Sequence, residues 1–127
     1  RIKIKPGSPP LFGKWKGVPI FGLPGNPVSS HVVFQILISK WIKFVTGAKG
    51  PKEKIIKAKL LENIKPKKDF LILTRVIVEN NGTEMVAFTN THQGSGNSYN
   101  LVAANALAIL PPEKESFKNQ IIDVLLF

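Results

Sequence analysis

The chain contains no cysteine, which excludes disulfides, thiolate metal ligation and cysteine nucleophiles. Residues 1–50 contain no aspartate or glutamate either, and the first acid is Glu53. General acid–base chemistry and magnesium ligation both use carboxylates, so that part of the chain supplies neither by itself. The two histidines, His31 and His92, are far apart and lack acid neighbours at metal-ligand spacing, which argues against a metal site. His31, early in an apolar helix, reads as a packed residue. The most apolar stretch, Val28 to Val45, is interrupted by Ser29, Ser30, His31, Gln35, Ser39, Lys40 and Lys43. That pattern suits a buried helix rather than a bilayer span, and no membrane partner is expected. The charged start at Arg1, Lys3 and Lys5 leads into Pro and Gly rather than the apolar core of a signal peptide. Together with the missing cysteine, this gives a cytoplasmic protein as the expectation.

Positive charge is abundant where acids are scarce. The net charge is +10, and ten of the eighteen basic residues lie between Lys40 and Lys68, against only Glu53 and Glu62. A Lys-rich face is one way to bind nucleic-acid phosphates. However, Lys54, Lys57 and Lys59 alternate with Ile55, Ile56, Ala58 and Leu60 as on the wet side of a half-buried strand. No interleaved aromatic platform accompanies them, so the solvated face is preferred over a nucleic-acid-binding module.

Two periodicities meet near Gly47 to Lys54. Residues 1–50 predict a short strand at Ile2 to Lys5, a loop through Ser8-Pro9-Pro10, a strand at Val18 to Leu23 and a helix from about Pro27 to Thr46, with Gly47 as its C-cap. That helix is apolar nearly all round and needs cover on several sides, more than two strands provide. Residues 1–50 therefore read as the C-terminal strand–loop–strand–helix piece of a larger α/β domain. Residues 51–127 alternate with period two at Ile56 to Leu60, Phe70 to Val78, Met85 to Ala87, Ala106 to Leu110 and Ile121 to Phe127. A short helical turn is expected between Ser98 and Asn105. Asn80-Asn81-Gly82 is the strongest hairpin signal, attributed to the positive φ angles open to Asn and Gly. Several short strands predict an all-β small barrel domain whose closure hides the sheet edges.

The run Gly22-Leu23-Pro24-Gly25-Asn26-Pro27-Val28-Ser29-Ser30 joins the apolar strand to the apolar helix. Asn26 is a favoured N-cap, Pro27 fits the first helical position, and free N–H groups with two hydroxyls are expected to face the loop. That is the anatomy of a phosphate or oxyanion site. Asn-Pro and Ser pairs also cap helices that bind nothing, so the turn alone leaves both readings open. Lys5, in the Lys5-Pro6-Gly7 turn at a strand end, is the leading cationic contact, with a solvated turn lysine as its alternative.

These residues resemble a family. GLPGNPVSS, preceded by Lys5-Pro6-Gly7-Ser8-Pro9 and followed by Thr91-His92-Gln93-Gly94-Ser95-Gly96 and Ala104-Asn105-Ala106-Leu107, looks like the C-terminal part of molybdopterin molybdenumtransferases, the MoeA/gephyrin E-domain family. The order and spacing of the four blocks fit. The resemblance implies a molybdopterin-binding α/β domain followed by a β-barrel. It also implies molybdenum cofactor biosynthesis by insertion of molybdate into adenylylated molybdopterin (molybdopterin-AMP), assisted by Mg²⁺, in a homodimer.

On the residues that match, it implies molybdate or phosphate binding by Lys5, Gly7, Pro24, Gly25, Asn26, Pro27 and Ser29, with Ser29 touching molybdate. It further implies a possible cleft loop at His92, Gln93, Gly94, Ser95 and Gly96. Where the family has a second lysine this chain has Ser8, with Lys3 nearby. Where it has an Arg-rich motif this chain has Lys67-Lys68-Asp69-Phe70, which keeps charge without arginine's bidentate fork. Transfer of contacts stops at Gly96, because Ser98-Tyr99-Asn100 departs from the family's Leu-Ser-Ser. The Mg²⁺ ligands are expected outside this chain, which holds no catalytic acid of the set and is expected to be inactive alone. A non-catalytic scaffold module of the same fold is the alternative reading.

Overall fold

The computed structural model describes residues 3–7, 10–50, 52–89, 103–112 and 116–127. The chain divides into two compact units, Arg1–Lys52 and Glu53–Phe127.

The N-terminal unit opens with strand β1 (Ile4–Lys5) and continues into an antiparallel hairpin of β2 (Leu11–Trp15) and β3 (Val18–Gly22). Its two-residue turn has positive φ at both Lys16 (46°) and Gly17 (86°), the type I′ geometry that matches strand twist. Strand β2 is not among the strands that the sequence predicts. Large apolar side chains at Leu11, Phe12 and Trp15 fall on both faces and hide the period of two.

The helical run Pro27–Thr46 begins as expected, with Asn26 as N-cap and Pro27 in the first turn, and ends at Gly47 in the left-handed region (φ 64°). Its interior differs from a plain α-helix. Helix α1 (Pro27–Val33) passes through a π-helical turn at Phe34–Ile38 before α2 (Ser39–Thr46). The run is 20 residues long and an 18-residue window within it reaches a mean hydropathy of 1.2, enough by length and composition alone to cross a bilayer. Polar residues on successive turns and the packing of Phe21 on Trp41, edge to face with centroids 5.0 Å apart, fit a helix laid on a hairpin. Val32, Val33 and Ile38 are buried. Phe34, Ile42, Phe44 and Val45 stay exposed, so the cover that the all-round apolar pattern calls for is absent from the described residues.

In the C-terminal unit five strands close on themselves: β4 (Lys54–Leu60), β5 (Leu71–Asn80), β6 (Met85–Phe88), β7 (Ala106–Leu110) and β8 (Ile121–Leu126). The ladder runs β5–β6–β4–β8–β7 and returns to β5, antiparallel throughout except for the short parallel pair of β4 with β6 at Lys59–Val86 and Leu60–Ala87. The expected barrel is therefore present. Alternate residues fill it: Ala58 and Leu60, Val76 and Val78, Ala87, Ala106, Ala108 and Leu110, Ile122 and Val124, sealed by Phe117. The alanines suit the narrow interior of a small barrel, where larger side chains from every strand would collide.

The expected β5–β6 hairpin forms, but by a different device. Asn80 pairs with Met85 across a four-residue loop, and among the two asparagines and glycine only Gly82 takes positive φ (99°). The asparagines act through their side chains instead. Asn80 Oδ1 accepts from the Gly82 amide (2.8 Å), and Asn81 Oδ1 accepts from the amides of Thr83 and Glu84 (both 3.0 Å). The helical turn expected within 98–105 lies largely outside the described residues.

Candidate functional site

The Lys5-Pro6-Gly7 turn and the start of the helix, separated by residues 8–26, meet in the N-terminal unit. Gly7 has φ 110°, a region L side chains rarely adopt. A Cβ there would lie 2.6 Å from Val33 Cγ2 and 3.6 Å from the Ser29 carbonyl oxygen. The turn thus rests directly on the helix at Ser29 and Val33, with the buried Ile4 below it. Lys5 is exposed at the end of β1, and the Lys5–Pro6 bond is cis.

The loop on the other side is tied down by its own side chains. Asn26 Oδ1 accepts from the amides of Val28 (2.9 Å) and Ser29 (3.3 Å). The Ser30 hydroxyl donates to the Pro24 carbonyl and to the Asn26 carbonyl (3.1 Å). The expectation of free first-turn N–H groups is corrected here: Pro27 has none, and Asn26 takes the next two. A side-chain cap and an anion compete for the same donors, and here the cap holds them. The Ser29 hydroxyl makes no hydrogen bond among the described residues and is open to meet an oxyanion. Ser30, expected with Ser29 to offer its hydroxyl to the loop, spends that hydroxyl on the loop's own carbonyls, one of them four residues back at Asn26.

Ser8 and the loop His92, Gln93, Gly94, Ser95 and Gly96 lie outside the described residues. Among the described residues no group of three His, Cys, Asp or Glu comes together to hold a metal. An apolar hollow of about 340 Å³ lies between the hairpin and the helix, lined by Leu11, Phe12, Phe21, Leu37 and Trp41 among others. It offers no charged group to an anion and is separate in character from the Lys5–Ser29 turn. In the barrel, the basic run is partly neutralised: Lys57 Nζ lies 2.6 Å from Asp123 and Lys59 Nζ 3.0 Å from Glu84. Those pairs fit a solvated strand face.

Asn105, from the fourth block, has a structural task. Its side chain accepts from the Val78 amide (2.8 Å) and donates to the Val78 carbonyl (3.0 Å), extending the β5–β7 ladder by one side-chain rung. Its carbonyl accepts from the Phe127 amide (3.2 Å).

Residues 57–127 match the MoeA C-terminal region (domain IV). The chain belongs to the MoeA family. Over 98% of its length it is 30% identical to molybdopterin molybdenumtransferase 1 of Mycobacterium tuberculosis, of which it covers 31%. It is 34% identical over 87% of its length to the molybdenum cofactor synthesis protein cinnamon of Drosophila melanogaster, of which it covers 19%. The crystal structure of a molybdopterin biosynthesis MoeA protein from Pyrococcus horikoshii superposes with a TM-score of 0.78 at 27% identity, over 98% of this chain and 31% of that one. The chain thus spans about a third or less of the length of these MoeA relatives.

Proposed function

We propose that this chain is the C-terminal part of a molybdopterin molybdenumtransferase, acting in molybdenum cofactor biosynthesis by insertion of molybdate into molybdopterin-AMP. The observation that supports the reading is the close approach of Gly7, in the Lys5-Pro6-Gly7 turn, to the helix start at the Ser29 carbonyl and Val33, in a chain whose relatives carry that activity in their names. Lys5 would offset the oxyanion's charge, and Ser29 would donate to one of its oxygens. Pro24, Gly25, Asn26 and Pro27 would hold the loop near its bound shape, which lowers the ordering cost of binding. Catalysis in this reading is positioning of pterin phosphates and molybdate in one cleft.

The residues present do not fit a magnesium ion, since no acid precedes Glu53. In the proposal any such ligands, and the acids of the reaction, come from the rest of the enzyme. The isolated chain is accordingly inactive, and dimerisation and a cytoplasmic location belong to the whole protein. A scaffold role for the same fold makes the opposite prediction, no molybdate binding in a full-length context.

The test is a molybdate titration of a chimera in which this chain replaces the corresponding C-terminal third of the Mycobacterium tuberculosis transferase. Ser29→Ala is expected to weaken molybdate binding about tenfold, the worth of one charge-assisted hydrogen bond. Its thermal midpoint should stay nearly unchanged. Unaltered affinity removes Ser29 from the site.

A further inference from the structure

Asn81-Gly82 is the only Asn-Gly pair in the sequence, and it sits at the exposed tip of the β5–β6 hairpin. Asparagine is chemically labile where no side chain shields the amide nitrogen that follows it. In this pair the Gly82 nitrogen attacks Asn81 Cγ. The Cγ–N bond forms, the Cγ–Nδ2 bond breaks, and Nδ2 leaves as ammonia with the proton of the Gly82 amide. Water then opens the cyclic imide at either carbonyl, leaving aspartate or isoaspartate at position 81.

The loop needs both residues of this reactive pair. Gly82 takes φ 99°, a region L side chains rarely adopt. Asn81 Oδ1 caps the turn, accepting from the amides of Thr83 and Glu84 and from the Thr83 hydroxyl (2.9 Å). Asn80 restrains the chemistry that this composition invites. Its Oδ1 accepts from the Gly82 amide at 2.8 Å, and the Gly82 nitrogen must give up that proton before it attacks. Asn81 in turn must break its own hydrogen bonds before Cγ can swing toward Gly82. Both reacting groups are therefore engaged elsewhere in the folded loop.

We propose that Asn81 is a deamidation site, held closed in the folded hairpin by the Asn80 side chain and released when the loop opens. The inference is independent of the molybdate reading. Isoaspartate would route the backbone through the side chain and add a carbon to the loop. The Asn81 amide donates to the Glu84 carbonyl (3.1 Å) and the Glu84 carboxylate holds Lys59 of β4 (3.0 Å), so conversion would disturb the tie between the hairpin and β4.

The test is a time course of deamidation in the full chain in mildly alkaline buffer, read by mass spectrometry of the peptide that carries Asn81, with fragmentation locating the converted residue. Conversion at Asn81 is expected to run more than about tenfold slower in the folded chain than in guanidinium chloride, since several hydrogen bonds must open first. Asn80→Ala should speed it about fivefold in the folded chain, the worth of one neutral hydrogen bond, and leave the rate in denaturant unchanged. Asn80→Asp keeps an acceptor for the Gly82 amide and should stay as slow as the parent, which keeps the test decisive where the alanine variant fails to fold. Equal rates in the folded and denatured chains, a folded Asn80→Ala variant that reacts no faster, or Asn80→Asp as fast as in denaturant overturns the proposal.

Discussion

Asn26 and Asn105 hold their neighbours by the same means, a side-chain amide standing in for backbone. Removing the cap with Asn26→Ala should cost about 1 kcal/mol, read as a lower midpoint in thermal melting, because the amides of Val28 and Ser29 lose their acceptor. Asn105→Ala should cost about 1–3 kcal/mol in urea unfolding, since it leaves both Val78 backbone groups unpaired beside the barrel core. Lys57→Met should change stability by less than about 1 kcal/mol, for the Lys57 side chain is 69% exposed and its pair with Asp123 is screened by water. Arg75 is a different case: it is buried on β5, and burial pulls its pKa below the usual arginine value. The Asn26 cap was legible because Asn-Pro before an apolar run has one good local solution. The role of Asn105 was not, because its partner Val78 is twenty-seven residues away and only barrel closure brings them together.

Among elements, the barrel strands carry the stability and the hairpin carries the exposure. Leu110 is fully buried in β7, so Leu110→Ala should lower stability by about 2–5 kcal/mol. Ile121→Ala on β8, where Ile121 is 60% exposed, should stay within about 0.5 kcal/mol, and the two urea midpoints side by side check the inward and outward registers. The barrel strands could be read from sequence because one face of each is buried and the other wet, which imprints a period of two. Strand β2 and the π-helical turn at Phe34–Ile38 could not. In β2 apolar residues on both faces erase the alternation, and in the helix an all-round apolar surface hides a one-residue change of register.

At the scale of the whole molecule, one chain carries a strand–hairpin–helix unit with a large apolar surface and no acid, and a barrel with a filled interior. In the function proposed, this chain supplies the oxyanion side of a molybdenum-inserting enzyme and depends on the rest of that enzyme for its acids. The most direct measurement is molybdenum insertion into molybdopterin-AMP by the chimera with the Mycobacterium tuberculosis transferase, compared with the isolated chain at equal concentration. Insertion is expected from the chimera, its loss on Lys5→Ala, and none from the isolated chain. A folded chimera with no insertion, or insertion by the isolated chain, contradicts the proposed function.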